Sequence, residues 1–256
     1  MRSVQIGWIA FGLMASWGAS EARAQTFDPA CLTDRTISGK VASSGSLMKF
    51  QLENGTEAYF SEGLQIGSTM LSNAPIARKE VMLVVNKAAN PDRYNRLPAH
   101  IIVDPNGRAT WLQARLLAEG RSLLSGQYEK SPCMNSLIEI EAAARRSLTG
   151  NWKSSWVPVP ATDVDILQTK AGEFSIVEGQ VRSIGDRTKR LYLNFGQNWS
   201  QDFTVIVAKT GRNAFKGNWE RFRHLTDKKV RIRGILEINS GPLIRLVYEG
   251  QLEIGD

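Results

Sequence analysis

Residues 47–60 read LMKFQLENGTEAYF, which is the pattern of a β-hairpin. A strand is predicted over 47–52, and a second strand continues through Ala58, Tyr59 and Phe60. The Asn54-Gly55 turn between them is a strong hairpin signal, because both residues tolerate a positive φ. This stretch therefore predicts antiparallel β-structure in the first part of the chain.

Three more strand patterns surround this hairpin. Residues 36–41 precede it, and the apolar run at 81–85 is typical of a buried strand. Residues 99–103 form the third pattern, which ends at the turn of residues 104–107. The first part of the chain is therefore expected to contain a sheet.

Two helices are predicted after these strands. The first begins at a Thr110 cap and ends near Gly120, and the second covers about 135–148 and ends at Gly150. Within the second helix, Glu141 lies four residues before Arg145, which predicts an ion pair on the helix surface.

The segment 154–172 is predicted to be a linker. It contains Val157-Pro158-Val159-Pro160, and each proline fixes its own φ and favours an extended predecessor. Two domains are therefore expected, at 31–153 and 173–256. In the second domain, strand patterns occur at 174–184, 191–195, 203–207, 229–235 and 243–248, with a helix pattern at 213–225. Five strands with a helix between the third and fourth are the layout of an OB-fold barrel.

The first 24 residues are predicted to be a cleavable signal peptide. Arg2 precedes an apolar stretch at 4–17, and Ala22-Arg23-Ala24 fits a cleavage site that leaves Gln25 as the new N-terminus. The alternative is an uncleaved anchor, but the apolar stretch is shorter than the about 20 residues that a spanning helix needs. The protein is expected to be exported to the periplasm or the medium, with no transmembrane anchor after cleavage.

The two cysteines, Cys31 and Cys133, are expected to form a disulfide in an oxidising compartment. His100 and His224 do not complete a zinc-ligand spacing with them, so no metal ligands are predicted.

The chain is basic, with a formal net charge of +7. Removal of residues 1–24 takes away two arginines and one glutamate, which leaves +6. A basic exported protein can meet nucleic acid, an anionic envelope polymer or a lipid surface, and a merely soluble basic protein is the alternative.

Residues 92–96, Asp-Arg-Tyr-Asn-Arg, are followed by the strand at 99–103, a turn and a helix ending Leu117-Ala118-Glu119-Gly120. This order resembles the D-x-Y-G-R region of the thermonuclease, or staphylococcal nuclease-like, family. Residues 141–152 resemble the closing A-x-x-A-R…G-x-W helix of the same family. The resemblance covers about residues 36–153 and implies an OB-like five-stranded barrel that carries helices.

The second domain resembles a C-terminal extension of some exported bacterial members of that family. The resemblance rests on residues 191–196, Trp199, residues 202–205 and residues 230–234. It implies an accessory OB-like module. The predicted fold class is therefore mainly β with helices (α+β), an SNase-like barrel with C-terminal helices followed by a second OB-like barrel.

The resemblance implies phosphodiester hydrolysis, which needs a Ca²⁺ held by carboxylates, a base and arginines at the phosphate. This chain has Ser44-Gly45-Ser46 in place of the D-G-D-T motif, Tyr59 near the place of one arginine, and Gln65 in place of a metal-binding aspartate. Arg96 alone has a clean catalytic counterpart. We therefore predict a catalytically impaired homologue, a pseudoenzyme that needs no cofactor.

Two alternatives stay open at this site. An active nuclease would use Ca²⁺ at a non-standard site built from Glu57, Glu62, Asp92 and Arg96. Arg96 also has a structural interpretation, as the ion-pair partner of Asp92 four residues earlier.

Single-stranded nucleic acid is the first candidate ligand, because OB barrels bind strands with a basic groove and stacking aromatic rings. The alternative ligands are another polyanion and an envelope protein. The candidate binding residues of the second domain are Arg187, Lys189, Arg190, Tyr192, Arg231 and Arg233. The alternative is that the alternating basic residues of 228–235 belong to a half-exposed strand.

Overall fold

The computed structural model describes residues 35–44, 49–60, 64–66, 76, 78–86, 89–126, 132–154, 156–198, 200–208 and 220–255. The protein is mainly β with a few helices, an α+β arrangement. We refer to the described residues up to 154 as the first unit and to those from 156 onward as the second unit.

The first unit contains a sheet followed by helices, as its sequence predicts. Its elements are β1 (Arg35–Ser44), β2 (Lys49–Leu52), β3 (Glu57–Phe60), β4 (Leu64–Ile66), β5 (Glu80–Val85), β6 (Leu97–Val103), β7 (Thr110–Trp111), α1 (Leu112–Ala118), β8 (Ser122–Leu124), α2 (Pro132–Arg146) and a 3-10 helix (Gly150–Lys153).

Five of these strands close a barrel. β1 pairs with β2 and β5, β2 pairs with β3, and β5 pairs with β6, all antiparallel. The parallel pairing of β3 with β6 closes the ring. The predicted hairpin is confirmed, with Lys49 opposite Tyr59 across the turn at Gly55, whose φ is +84°.

Helix α1 begins one residue later than predicted, because its N-cap is Trp111 instead of Thr110. Thr110 does not cap the helix, because it pairs with Val103 in the short strand β7. The helix is tied to the barrel by the fully buried Gln113, whose amide donates to the carbonyl of Ala99 at 2.9 Å and accepts from the N–H of Ile101 at 3.0 Å. This one side chain satisfies two backbone groups of β6 and holds the helix against it.

The second unit is built around another sheet. Its elements are β9 (Val159–Pro160), α3 (Val164–Thr169), β10 (Phe174–Gln180), β11 (Ser183–Asp186), β12 (Arg190–Asn194), β13 (Thr204–Ala208), α4 (Glu220–Arg223), β14 (Lys229–Asn239), β15 (Gly241–Leu246), a 3-10 helix (Glu249–Gln251) and β16 (Leu252–Ile254).

This sheet forms a half-barrel in the order β11-β12-β13-β15-β14-β10-β9. β13 and β15 run parallel, and β16 adds to β14. Between β10 and β11 the chain changes partner, because the N–H of Val181 donates to Lys228 while the next N–H, of Arg182, donates to Asn194. The continuous segment 174–186 therefore pairs with β14 through β10 and with β12 through β11.

The segment 154–172, predicted as a linker, packs largely on the second unit. β9 pairs with β10 in parallel, and α3 buries Leu167 completely in the second core. Asp163 begins α3, and its carboxylate accepts from the N–H of Ile166. The prolines do favour an extended strand here, but that strand joins the sheet.

Several predictions fall on residues outside the described ranges. These are the signal peptide with Ala24 and Gln25, the first part (213–219) of the helix pattern predicted over 213–225, and Cys31. Cys133 is buried in the first core. Because Cys31 lies outside the described ranges, the disulfide between them stays a prediction. Within the described ranges, no helix is long and apolar enough to cross a membrane.

A buried set of charged side chains joins the two units. Glu141 of α2 is 1 % exposed, and it binds the guanidinium of Arg233 of β14 at 2.8 and 3.0 Å. Arg233 also donates to the carbonyl of Leu124 and contacts Glu253. We call Glu141, Arg145, Arg231, Arg233 and Glu253 the junction network.

The predicted ion pair between Glu141 and Arg145 is present at 3.2 Å, but it is not on the surface. The second unit covers this face of α2, so Arg145 also reaches Glu253 at 3.0 Å. Burial disfavours the charged form of Glu253, but its three arginine neighbours outweigh that effect and lower its pKa.

Candidate nucleic-acid interface

Strand β12 directs alternate side chains to opposite sides, as strands do. Leu191 and Leu193 are fully buried in the second core. Arg190, Tyr192 and Asn194 therefore lie on the outer side of the half-barrel.

The pairing of the strands places this outer row among other outward residues. Tyr192 lies opposite Gly185 of β11 and Ile206 of β13. Asn194 lies opposite Thr204, and Thr204 lies opposite Leu243 of β15.

These residues line a cleft with a volume of about 420 Å³. That volume lies within the range of ligand-binding pockets, about 300–1,000 Å³. We call this the β12 cleft, and its polar and aromatic lining includes Arg187, Arg190, Tyr192, Asn194, Asp202 and Thr204.

The basic end of the β12 cleft is exposed. Arg187 and Arg190 flank the turn between β11 and β12, where the N–H of Arg187 donates to the carbonyl of Arg190 at 2.9 Å. Neither guanidinium pairs with a carboxylate of the described chain, so both charges face solvent. Lys189 lies in the same exposed turn, although it does not line the cleft.

Arg231 and Arg233, which were also predicted as binding residues, do not lie at this cleft. Arg233 is 1 % exposed and belongs to the junction network. Arg231 binds Glu178 and Glu253 at 3.0 and 2.8 Å. The alternation along β14 predicted that one side is polar, but the first unit covers that side at Arg233.

The cleft lining also includes Asn194, Asp202 and Thr204, which were not among the predicted binding residues. The alternation that placed Tyr192 on the outer side also reaches Asn194, two positions later. Thr204 and Asp202 carry no comparable signal, because their place in the cleft depends on the pairing of β12 with β13.

In the first unit, Arg96 is bound to Asp92. The Oδ2 atom of Asp92 accepts from Nε of Arg96 at 2.9 Å and also from its Nη2. The Oδ1 atom accepts from the backbone N–H groups of Tyr94 and Arg96 at 2.9 and 3.0 Å. The guanidinium carbon of Arg96 lies 4.8 Å from the ring centroid of Tyr94 and 5.6 Å from that of Tyr59.

This geometry matches the structural interpretation of Arg96. Its charge is compensated by one carboxylate, and its planar group contacts two aromatic rings. The hydrogen bond from its side chain is the main cause that lowers the pKa of Asp92 to about 2.

The other positions compared with nuclease motifs are only partly described. Gly45, Ser46 and Glu62 lie outside the described ranges, as do the side chains of Ser44 and Gln65. Among the described side chains, no group of three or more His, Cys, Asp or Glu residues could hold a metal ion.

The lowered pKa of Asp92 predicts that the loop of residues 92–96 keeps its hydrogen bonds in mildly acidic solution. Because the folded pKa is below the ordinary value of 3.8, the stabilisation that Asp92 provides is complete above that value and is lost as the pH falls through about 2. We expect the backbone amide signals of Tyr94 and Arg96 to titrate with a midpoint near 2 in NMR spectra. An Asp92→Asn variant should remove this titration, and a midpoint near 4 in the unchanged protein would contradict the assignment.

Comparison with known proteins leaves the thermonuclease resemblance of residues 36–153 as an expectation. No family model matches the chain, and no curated protein matches it.

Proposed function

We propose that this protein binds single-stranded nucleic acid in the β12 cleft. The observation that carries the proposal is that Arg187, Arg190 and Tyr192, from β12 and the turn before it, all line one cleft. Guanidinium groups form charge-assisted hydrogen bonds with phosphates. A base that stacks on an aromatic ring adds about 1–3 kcal/mol, largely regardless of its identity.

The strand order supports an OB-like assignment for both units. In the first unit the closed order is β1-β2-β3-β6-β5, with one parallel pairing between β3 and β6. In the second unit the segment of β10 and β11 plays the part of the first strand, followed by β12 and β13, with the parallel pairing between β13 and β15. OB folds bind their ligands on the second and third strands and the adjoining loops, which here are the strands and loops of the β12 cleft.

The floor of the cleft suits bases as well as phosphates. Ile206 and Leu243 lie on the outer side of their strands, next to Tyr192 and Thr204 in the pairing. An apolar floor beside an aromatic ring favours a planar ring over a compact inorganic ion.

We further propose that the first unit is a thermonuclease-like barrel with impaired catalysis. The support is the combination of serine and glutamine at the expected carboxylate positions with an Arg96 that is bound to Asp92. Ca²⁺ would be required only if hydrolysis were retained. Because the sequence predicts a signal peptide, we also propose that this binding takes place in the periplasm or the medium.

Arg190→Ala is expected to weaken binding of a fluorescent dT oligonucleotide about tenfold or more, because a charge-assisted hydrogen bond is lost. The slope of log affinity against log salt should fall in magnitude by about 0.7, the value for one single-strand phosphate contact. Fluorescence anisotropy at several salt concentrations measures both quantities. Arg108→Ala is the matched control, since Arg108 is an exposed arginine of the first unit, and it should leave both quantities unchanged.

The same measurement distinguishes the alternatives. An affinity that does not depend on salt or on Arg190 would contradict the proposed site. Cleavage of the oligonucleotide that requires Ca²⁺ and disappears in Arg96→Ala would show an active nuclease. If no oligonucleotide binds at low salt, the envelope-protein alternative becomes the better explanation.

A further inference from the structure

The β12 cleft changes in chemical character along its length. Arg187 and Arg190 lie at one end, Tyr192 lies in the middle, and Asn194 lies towards the other end. Asn194 lies four positions after Arg190 on the strand, so their Cα atoms are about 13 Å apart at about 3.3 Å per residue. A nucleotide has the same order of parts: an anionic phosphate, then a sugar and a flat ring, then a polar base edge.

A fixed carboxylate lies at the polar end. The Oδ2 atom of Asp202 accepts from the N–H of Asn198 at 2.6 Å. Asp202 also packs against Gly196, where any side chain would collide with the carboxylate. The carboxylate is therefore held in place at the lining of the cleft.

This carboxylate opposes phosphate at its end of the cleft. Like charges repel, so a nucleic-acid backbone is favoured near Arg187 and Arg190 and disfavoured near Asp202. A carboxylate only accepts hydrogen bonds, so the part of the ligand that faces Asp202 must donate them.

Thr204 adds a second polar group at this end. Its side chain is 9 % exposed, and its hydroxyl has no hydrogen-bond partner within the described part of the chain. A buried hydroxyl without a partner is unfavourable, and a base edge that reached it would recover part of its lost hydrogen bonding.

Guanine is the base whose edge fits this arrangement. Its N1–H and its N2 amino group are adjacent donors, which match the two oxygens of one carboxylate. Adenine and cytosine each present one amino donor beside a ring acceptor, and thymine presents one N–H between two acceptors. Bases of single strands are commonly read on these edges.

Resting on the proposed nucleic-acid binding, we infer that the β12 cleft prefers guanine in single strands, with Asp202 accepting from N1–H and the N2 amino group. Arg187 and Arg190 hold the phosphate, and Tyr192 contacts the ring. Asn194 and Thr204 lie beside the edge of the guanine base that hydrogen-bonds to Asp202.

The test compares dT strands that carry one central dG, inosine, dA or dC, with anisotropy as the readout on the unaltered protein. A bidentate contact to a base discriminates by about 1–3 kcal/mol, which corresponds to about fivefold to 150-fold tighter binding of the dG strand than of the dA strand. Inosine lacks the N2 amino group, so its strand should bind with intermediate affinity.

A protein variant tests the role of Asp202 directly. Asp202→Asn keeps one carbonyl oxygen for the N–H of Asn198, so the loop hydrogen bond can persist. It should reduce the dG-to-dA affinity ratio towards one. Asp165→Asn makes the same charge change at an exposed position of α3 and should keep the ratio.

The outcomes separate the two proposals. If the dT strand binds with the expected dependence on salt and Arg190 while all four central bases bind equally, guanine recognition is overturned and the proposed function stands. If the dG strand is preferred equally by the unaltered protein and Asp202→Asn, the assignment of Asp202 is overturned. If no strand binds at low salt, both proposals are overturned.

Discussion

Replacing Glu141 by alanine is expected to lower the free energy of unfolding by about 3–5 kcal/mol. The guanidinium of Arg233 is almost fully buried and loses both of its hydrogen bonds to Glu141 in this variant. The N–H of Leu124, which donates to Glu141 at 2.7 Å, also loses its partner. The main cost is that the almost fully buried guanidinium of Arg233 keeps only Glu253 and the carbonyl of Leu124 as partners, and breaking a buried ion pair by removing one partner is strongly destabilising.

Urea unfolding followed by circular dichroism measures this change as a shift of the midpoint at constant slope. The double variant Glu141→Leu with Arg233→Met is the informative control. It removes both charges together and fills the space with apolar atoms, so it should be far closer to the unaltered protein than the single variant. A loss below about 1 kcal/mol in Glu141→Ala would mean that Arg233 reaches water and that the junction is more open than the structure shows.

Gly120→Ala is expected to lower the free energy of unfolding by about 2–5 kcal/mol, as the sum of two effects. Gly120 has a φ of +61°, which costs an alanine about 1–2 kcal/mol. A Cβ atom would also collide with the backbone carbonyl of Thr149, and relieving such overpacking costs about 1–3 kcal/mol. The side chain and N–H of Asn151 both donate to the Gly120 carbonyl, so this segment cannot move away without losing them.

Gly172→Ala is the matched control for this prediction. Gly172 also has a positive φ, at +82°, but nothing lies within 4 Å of the position that its Cβ would occupy. The control should therefore show only the conformational cost. Thermal or urea unfolding of both variants separates the two effects, and equal losses would refute the close contact at Gly120.

Patterns within single elements were predicted well from the sequence. The hairpin at residues 47–60, the strands around it and Gly120 at the end of α1 are present in the structure, whereas α2 ends at Arg146 and Gly150 begins the 3-10 helix. Each of these signals depends on neighbouring residues, which set the backbone preferences directly. The contact between Gly120 and the segment at Gly150 could not be predicted, because it joins two elements thirty residues apart.

The candidate site was predicted only in part for the same reason. Arg187, Arg190 and Tyr192 were identified from charge and alternation along one strand and its turn. Arg233 has the same local pattern, but its surroundings come from α2 of the other unit. A period of two shows that a strand has two different sides, and it cannot show whether solvent or another element covers each side.

The junction network has a consequence for how the protein can be divided. A fragment that began at residue 173 would expose Arg233 without Glu141, and it would lack Val159 and Leu167 of the second core. The proposed boundary between domains is therefore a poor place to cut the chain. The first unit thus has a structural role that needs no chemistry of its own: it supplies the wall against which the second unit folds, so deleting it would disturb the β12 cleft as well.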